Sequence, residues 1–368
     1  MSTWNDTSFT RRLGLAYPII QGPFGRGSSS ARLTAAVSNA GGLGSFGAND
    51  LEPGDISQAA VEIRKLTDKP FALNLWVSTF DRGGDTLDEA SYARLVKLLA
   101  PYYRELGVTP PPKPHATARN FQEQVGALLE ARPAAFSFVF GIPSPDILRE
   151  CREKGIVTLG GAATVEEAVA LEAAGVDMVV ASGFEAGGHR TSFLRPSEES
   201  LVGTFSLLPQ IADKVDVPVI AAGGIADGRG VAAALILGAD AVQIGTAFLA
   251  CEESGAHPLH REALFRETAE HTVLTRAFTG RLARGIANRF SGEMKSHDAE
   301  LAPYPAQSWA VAPLRAAALA QGKIDLVNLW SGQSAALMQH RKADELFASL
   351  VQETEQIFKT RFVDTTAA

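Results

Sequence analysis

Short apolar runs recur along the chain, and most of them stop at glycine. YPII (17–20), LGSFG (43–47), FALNLWV (71–77) and AAFSFVFG (134–141) come first. IVTLGG (156–161), MVVASG (178–183), VPVIAAGG (217–224) and AVQIG (241–245) follow, which makes eight candidate strands. Runs this uniformly apolar belong to strands covered on both faces, the pattern of parallel sheets. Between most of them lie stretches such as ARLTAAVSNA, DISQAAVEIRKL and TVEEAVALEAA, whose apolar residues fall at helical spacing. Alternating strands and helices with a count near eight predict an α/β fold, closed into a (β/α)8 TIM barrel.

An internal repeat agrees with this reading. Gly160, Gly161, Gly175 and Asp177 recur at an offset of 63 as Gly223, Gly224, Gly238 and Asp240. Each copy reads strand, Gly-Gly, helix, Gly-x-Asp, strand. Two segments are too long for ordinary connections: 78–118, with DRGGD and TPPPKPH around an expected helix at 87–106, and 252–332. Both follow strand ends, on the face where barrels carry their active sites. The expected division is therefore a barrel of residues 1–77, 119–251 and 333–368, closed by a last helix at about 333–359. The inserted segments form a mostly helical cap over a pocket.

AAGGIADGRG, followed nineteen residues after Gly224 by QIGT, is the strongest sign of a bound anion. Gly223 and Gly224 let backbone N–H groups approach a phosphate, and a helix starting near Asp227 adds its positive end. Gln243, Ile244, Gly245 and Thr246 add further amides and a hydroxyl. Gly42, Gly44 and Gly47 match GxGxxG by spacing, but helix precedes strand there, the reverse of the dinucleotide order. His189, at the end of the sixth strand in GFEAGGHR, sits where an imidazole can exchange a proton or hydrogen bond a ligand. Cys251, His257 and His260 lack a further ligand at metal-binding spacing, so no metal is expected. Arg276, Arg281, Arg284 and Arg289 either pair with carboxylates or reach an anion, and spacing does not choose between these.

Composition narrows the partners. With 46% apolar residues in 368, the chain can bury a large core. A surplus of 41 acidic over 34 basic side chains gives a net charge of −7, which argues against nucleic acid. No apolar run approaches the roughly 18 residues of a membrane span. The polar and then basic start, MSTWNDTSFTRRLG, is expected to be neither signal peptide nor anchor. Cys151 and Cys251, the only two cysteines, suit a reducing compartment, so a cytoplasmic protein is expected.

PIIQGPF, AAVSNAGGLGSFG, FALNLWV, GFEAGGHR, VIAAGGIADGRG, GADAVQIGTAF, TRAFTGRLARG and LWSGQSAAL, in this order, span nearly the whole chain. Together they resemble the nitronate monooxygenase family, formerly the 2-nitropropane dioxygenases, which also holds FMN-dependent enoyl reductases and NADH:quinone reductases. The resemblance implies non-covalent FMN, with Gly224 and Gln243, Ile244, Gly245 and Thr246 at its phosphate. Asn74 matches the family's flavin-contacting asparagine. Gly187 and Gly188 line the cofactor, His189 matches the active-site histidine, and Pro23 and Phe24 abut the flavin ring. Three positions depart from the pattern. Ser182 stands where many members carry glutamine, Phe24 where methionine is common, and Val139 where a second histidine often stands.

The implied reaction is oxidation of an alkyl nitronate, or of a nitroalkane, by O2 to a carbonyl compound and nitrite. His189 would anchor the anion electrostatically, or act as a base with a pKa near about 6–7. Two alternatives stand beside it: an NAD(P)H-dependent FMN reductase acting on quinones or enoyl thioesters, and a non-redox phosphate-binding barrel. Partners are otherwise small molecules, and a homodimer is left open.

Overall fold

The computed structural model describes residues 4–78, 87–113 and 120–362. The parts of the expected division that fall on 1–3, 79–86, 114–119 and 363–368 lie outside them. In chain order the strands are β1 (Ile19–Gln21), β2 (Gly44–Gly47), β3 (Phe71–Trp76), β4 (Ala135–Val139), β5 (Val157–Ala162) and β6 (Met178–Ser182). Then come β7 (Gly188–His189), β8 (Val219–Ala222), β9 (Ala241–Ile244), β10 (Thr272–Thr275) and β11 (Ala283–Ile286).

Eight of these pair in parallel in the order β1-β9-β8-β6-β5-β4-β3-β2. The ring closes through Leu43. Gln21 N–H donates to its carbonyl (3.0 Å), and its own N–H donates to Ile19 O (2.9 Å). All eight expected strands are present, and the helices Ala31–Asn39, Pro53–Leu66 and Val165–Ala173 stand where the apolar spacing placed them. Their starts are legible locally: Ser30 Oγ accepts the Leu33 N–H, Pro53 opens its helix, and Thr164 Oγ1 accepts the Glu167 N–H.

Although the strands carry no polar alternation, the fold still sorts their faces by twos. Along β6, Met178 and Val180 fill the barrel interior with Ile20, Leu43 and Ile220, while Val179 and Ala181 pack outward against helices. The helix Ser8–Leu13 adds Phe9 and Leu13 to that interior cluster. The repeat also acquires a physical meaning. Asp177 Oδ2 accepts the Thr158 N–H (2.9 Å) on β5, and Asp240 Oδ2 accepts the Val219 N–H (3.0 Å) on β8. Each aspartate ties the start of its own strand to that of the strand before it.

A second apolar cluster lies apart from the barrel core. Tyr92, Leu99 and Tyr103 of the helix Glu89–Leu106 meet Phe278, Phe290, Leu314 and Leu329. Besides its helices the 252–332 segment carries β10 and β11, which join β7 in an antiparallel sheet. The last helix is Ala343–Phe362, and it starts well after residue 333. Residues before it are committed elsewhere: Gln333 N–H donates to Glu185 O (3.0 Å), and Gly332 N–H donates to Thr246 Oγ1 (2.8 Å). Among the described residues no helix is long and apolar enough to cross a membrane.

Gly44 lets the first strand pair sit on its helix, since a Cβ there would come within 1.9 Å of Thr34 O. Gly44→Ala is expected to cost at least about 2 kcal/mol, because the obstructing atom is backbone. At Gly54, inside a helix with nothing within 4 Å of the added carbon, alanine is expected to be neutral or stabilising. Urea midpoints of the two variants check the contrast.

Candidate active site

A cavity of about 430 Å³ opens over the C-terminal ends of the barrel strands, a size typical of small-molecule sites. Strand ends deliver its wall in order. Pro23 and Phe24 follow β1, Asn74 and Trp76 belong to β3, Val139 and Phe140 end β4, and Ser182 ends β6. Gly187, Gly188 and His189 enter from β7, Gly223 and Gly224 follow β8, and Gln243, Gly245 and Thr246 end β9. Of the residues nominated from sequence, Ile244 alone does not line it. Strand alternation turns its side chain into the core between barrel and helices, and its carbonyl accepts the Gly22 N–H (2.8 Å).

One end of the cavity is made of backbone. Gly223 (φ +106°) and Gly224 (φ +77°) are left-handed, which L side chains resist, so glycine suits this turn. Asp227 caps the following helix, accepting from Arg229 N–H (3.0 Å) and Gly230 N–H (3.1 Å). Thr246 Oγ1 already accepts the Gly332 N–H, so its proton is left to donate. The Glu185 carboxylate, also on the wall, turns to the N–H and hydroxyl of Thr204 (2.8 Å each). Asn74 Nδ2 donates to Ser137 Oγ (2.9 Å), leaving its oxygen as an acceptor.

The other end is aromatic. The His189 ring meets Trp76, Trp330 and Phe140 with centroids 5.2, 5.4 and 6.4 Å away. Its Nε2 lies 3.0 Å from Thr279 Oγ1. Among the described residues no carboxylate acts on it. Burial, with the nearby charge of Arg26, pushes its pKa down to about 3, so the ring is neutral at physiological pH. The sequence-based expectation was an electrostatic anchor or a base with a pKa near neutrality; burial, a tertiary effect, lowers the pKa below that range.

The cations on the wall are Arg26 and Arg315, which sequence reasoning did not single out. Arg26 sits among glycines after the first strand, a signal available in PFGRG. Arg315 stands on the helix Ala306–Ala320 and has no local signature. The arginines that were singled out do not line the cavity, and Arg289 pairs with Glu105 (2.7 Å) and Asp325 (2.8 Å). Arg276 pairs with Glu198 (2.9 Å), and Arg284 donates to Phe184 O (3.1 Å) and Thr272 Oγ1 (2.9 Å). The Arg281 guanidinium lies 3.6 Å from the centre of the Phe140 ring. Arg190, beside the histidine, donates to the carbonyls of Gly183 (2.6 Å), Ser182 (2.8 Å) and Ser200 (3.2 Å) and so shapes the loop after β6. Cys251 is buried and donates to Ala247 O (3.3 Å), while His260 Nε2–H donates to Trp330 O (3.0 Å). LWSGQ, unassigned from sequence, supplies Trp330 to the cage and Gly332 to Thr246.

Burial also holds His260 down, to about 4. Both imidazoles have folded pKa values below the ordinary value of about 6.5, so the unfolded chain binds more protons below that pH. Their contribution to stability is complete above about pH 6.5 and is lost as pH falls toward about 4. Thermal melts from pH 7 to 4.5 are expected to decline. His260→Gln, which keeps a donor for Trp330 O but cannot titrate, should flatten that decline.

A family model described as Nitronate monooxygenase matches residues 7–353. A probable nitronate monooxygenase of Staphylococcus aureus is 39% identical over 357 residues, covering 97% of this chain and 99% of that relative. Among solved structures, a nitroalkane oxidase from Streptomyces ansochromogenes is 36% identical, with a TM-score of 0.86 over 95% of this chain and 98% of its own. FabK from Thermotoga maritima is 30% identical, with a TM-score of 0.75 over 96% of this chain and 97% of its own. By sequence and by fold, therefore, the chain belongs to the nitronate monooxygenase family of oxidoreductases.

Proposed function

We propose that this chain oxidises alkyl nitronates with O2 to a carbonyl compound and nitrite, using FMN. The observation that carries the reading is the two-ended cavity: backbone amides and a free hydroxyl proton at one end, a caged neutral imidazole beside two arginines at the other. The family is flavin-dependent. Gly223, Gly224, Gln243, Gly245 and Thr246 fit a terminal phosphate, since they line the cavity with glycine backbone and a hydroxyl whose proton is left to donate. Asn74, Ser182, Gly187, Gly188, Pro23 and Phe24 fit the ring system, and Thr191 Oγ1, buried on the same wall, has no partner among the described residues. Bound there, FMN supplies the redox chemistry.

The chain's own residues then bind and orient the substrate. A nitronate is an anion and needs charge compensation in a dry site. His189, being neutral, offers a hydrogen bond and no charge. Arg26 and Arg315 offer the charge, each lying close enough that Arg26 and burial together depress the Arg315 pKa. Arg315 has no hydrogen-bonded or ion-paired partner among the described residues, so its guanidinium is available to an anion. An imidazole this weakly basic favours a nitronate already deprotonated over a neutral nitroalkane. The second apolar cluster serves as the cap that keeps water from this end.

Purified protein is expected to be yellow and to release nitrite from ethyl or propyl nitronate. His189→Ala should keep FMN and lose at least about tenfold in kcat/KM, the effect of removing a positioned hydrogen-bond partner. Arg315→Gln should raise KM for the nitronate about tenfold, the worth of one charge-assisted hydrogen bond. Anaerobic bleaching by NADH or NADPH, with none by nitronate, would instead support the FMN reductase, and a colourless protein that takes up no FMN the non-redox barrel.

A further inference from the structure

His189 is held by a residue from the far side of the chain, Thr279, 90 positions away in sequence. Pairing of β7 with β11 brings the two together, with His189 opposite Ala283 in the register. Thr279 is buried, and its Oγ1 has three polar neighbours: His189 Nε2 at 3.0 Å, Arg281 O at 3.2 Å and Arg281 N–H at 3.3 Å. The Arg281 N–H can only donate, so it occupies a lone pair of the oxygen. The single hydroxyl proton is left to the imidazole nitrogen or to the Arg281 carbonyl. The imidazole is the nearer acceptor. The carbonyl, at 3.2 Å on the same turn, is also within hydrogen-bond reach, so the two acceptors compete for the one proton and the imidazole has the shorter approach.

The other ring nitrogen is differently placed. Nδ1 has no hydrogen-bonded partner among the described residues and is not among the buried unpartnered atoms, so it opens on the cavity that His189 lines. Trp76, Phe140 and Trp330 hold the ring plane by edge and tilted contacts. The charged and titratable groups near the ring are Arg26 from the loop after β1, Arg281 over Trp76 and Phe140, and Tyr304 against Trp76. The two guanidinium groups cannot accept a proton, and among the described residues the Tyr304 hydroxyl makes no hydrogen bond to the ring.

We propose that Thr279 is the positioning residue of the site: its hydroxyl donates to Nε2 of His189, confining the one imidazole proton to Nδ1, where it faces the bound substrate as a hydrogen-bond donor. The ring thereby presents N–H, and not a lone pair, to the oxygens of an anionic ligand, whose repulsion by a lone pair would cost affinity. The functional consequence rests on the nitronate reading above, whereas the tautomer itself does not. The oxygen that fixes the tautomer touches neither substrate nor cofactor.

Two measurements on the FMN-loaded protein test this. Nitrogen-15 NMR of histidine-labelled protein reads the tautomer directly, and His189 is identified by the signal missing in His189→Ala. The expected spectrum has an unprotonated Nε2 and a protonated Nδ1. A protonated Nε2 in the wild-type protein would overturn the proposal, whatever the substrate proves to be. Kinetics on ethyl nitronate then read the consequence. Thr279→Val, of the same shape without the hydroxyl, is expected to lower kcat/KM about tenfold while keeping bound FMN, and Thr279→Ser to restore it to within about twofold. A Thr279→Val enzyme of wild-type kcat/KM, or a Thr279→Ser enzyme as impaired as the valine variant, would also sink it. If the wild-type protein oxidises no nitronate, the functional reading fails, and the NMR result alone decides the tautomer.

Discussion

Two backbone hydrogen bonds at Leu43 turn a row of eight strands into a ring. Everything at the site depends on that closure. An open sheet would spread the ends of β1 and β2 to opposite edges, whereas the closed ring brings the loops after β1, β3, β4, β6, β8 and β9 around one mouth. Pro23 and Gly224 share a wall because β1 pairs with β9 and β9 with β8. The turns after β8 and β9 thus lie side by side on the cavity wall.

The two ends of the cavity use opposite electrostatic strategies. The glycine end presents backbone dipoles, which need no side chain and carry no net charge. Charge at the aromatic end is divided among different residues. His189 is kept neutral by burial, and Arg26 and Arg315 are cationic. Placing two guanidinium groups on one small wall with one adjacent carboxylate, Asp50, leaves a surplus of positive charge that an anion relieves. A protonated histidine would add a third cation to that wall, and the fold avoids it by surrounding the ring with indole and phenyl surfaces.

A layer of antiparallel structure connects these ends to the rest of the chain. β7 is only two residues long, yet it carries the histidine, and β11 holds it in register. The same region threads Arg190 and Arg284 beneath the loop after β6, where backbone carbonyls receive their donors. These buried arginines resemble candidate ligands of an anion in sequence, but their hydrogen bonds go to main-chain carbonyls and, from Arg284, also to the Thr272 hydroxyl.

The barrel was legible in the sequence because its causes are local: uniformly apolar strands, helical spacing between them, glycine stops and capping residues each act within a few positions. The glycine turns and the position of His189 after a strand were legible for the same reason, and the family motifs repeated that information. Ile244 was nominated with the amides of its run, and a motif does not tell that its side chain faces the core and not the cavity. The state of His189, the roles of Arg26, Arg315 and Thr279, and the late start of the last helix were decided only by tertiary structure. Each depends on groups distant in sequence: an aromatic cage drawn from β3, β4 and LWSGQ, a hydroxyl contributed across β11, and a segment tied to Glu185 and Thr246. Proton affinity and charge balance are properties of an environment, and that environment exists only once the chain has closed around it.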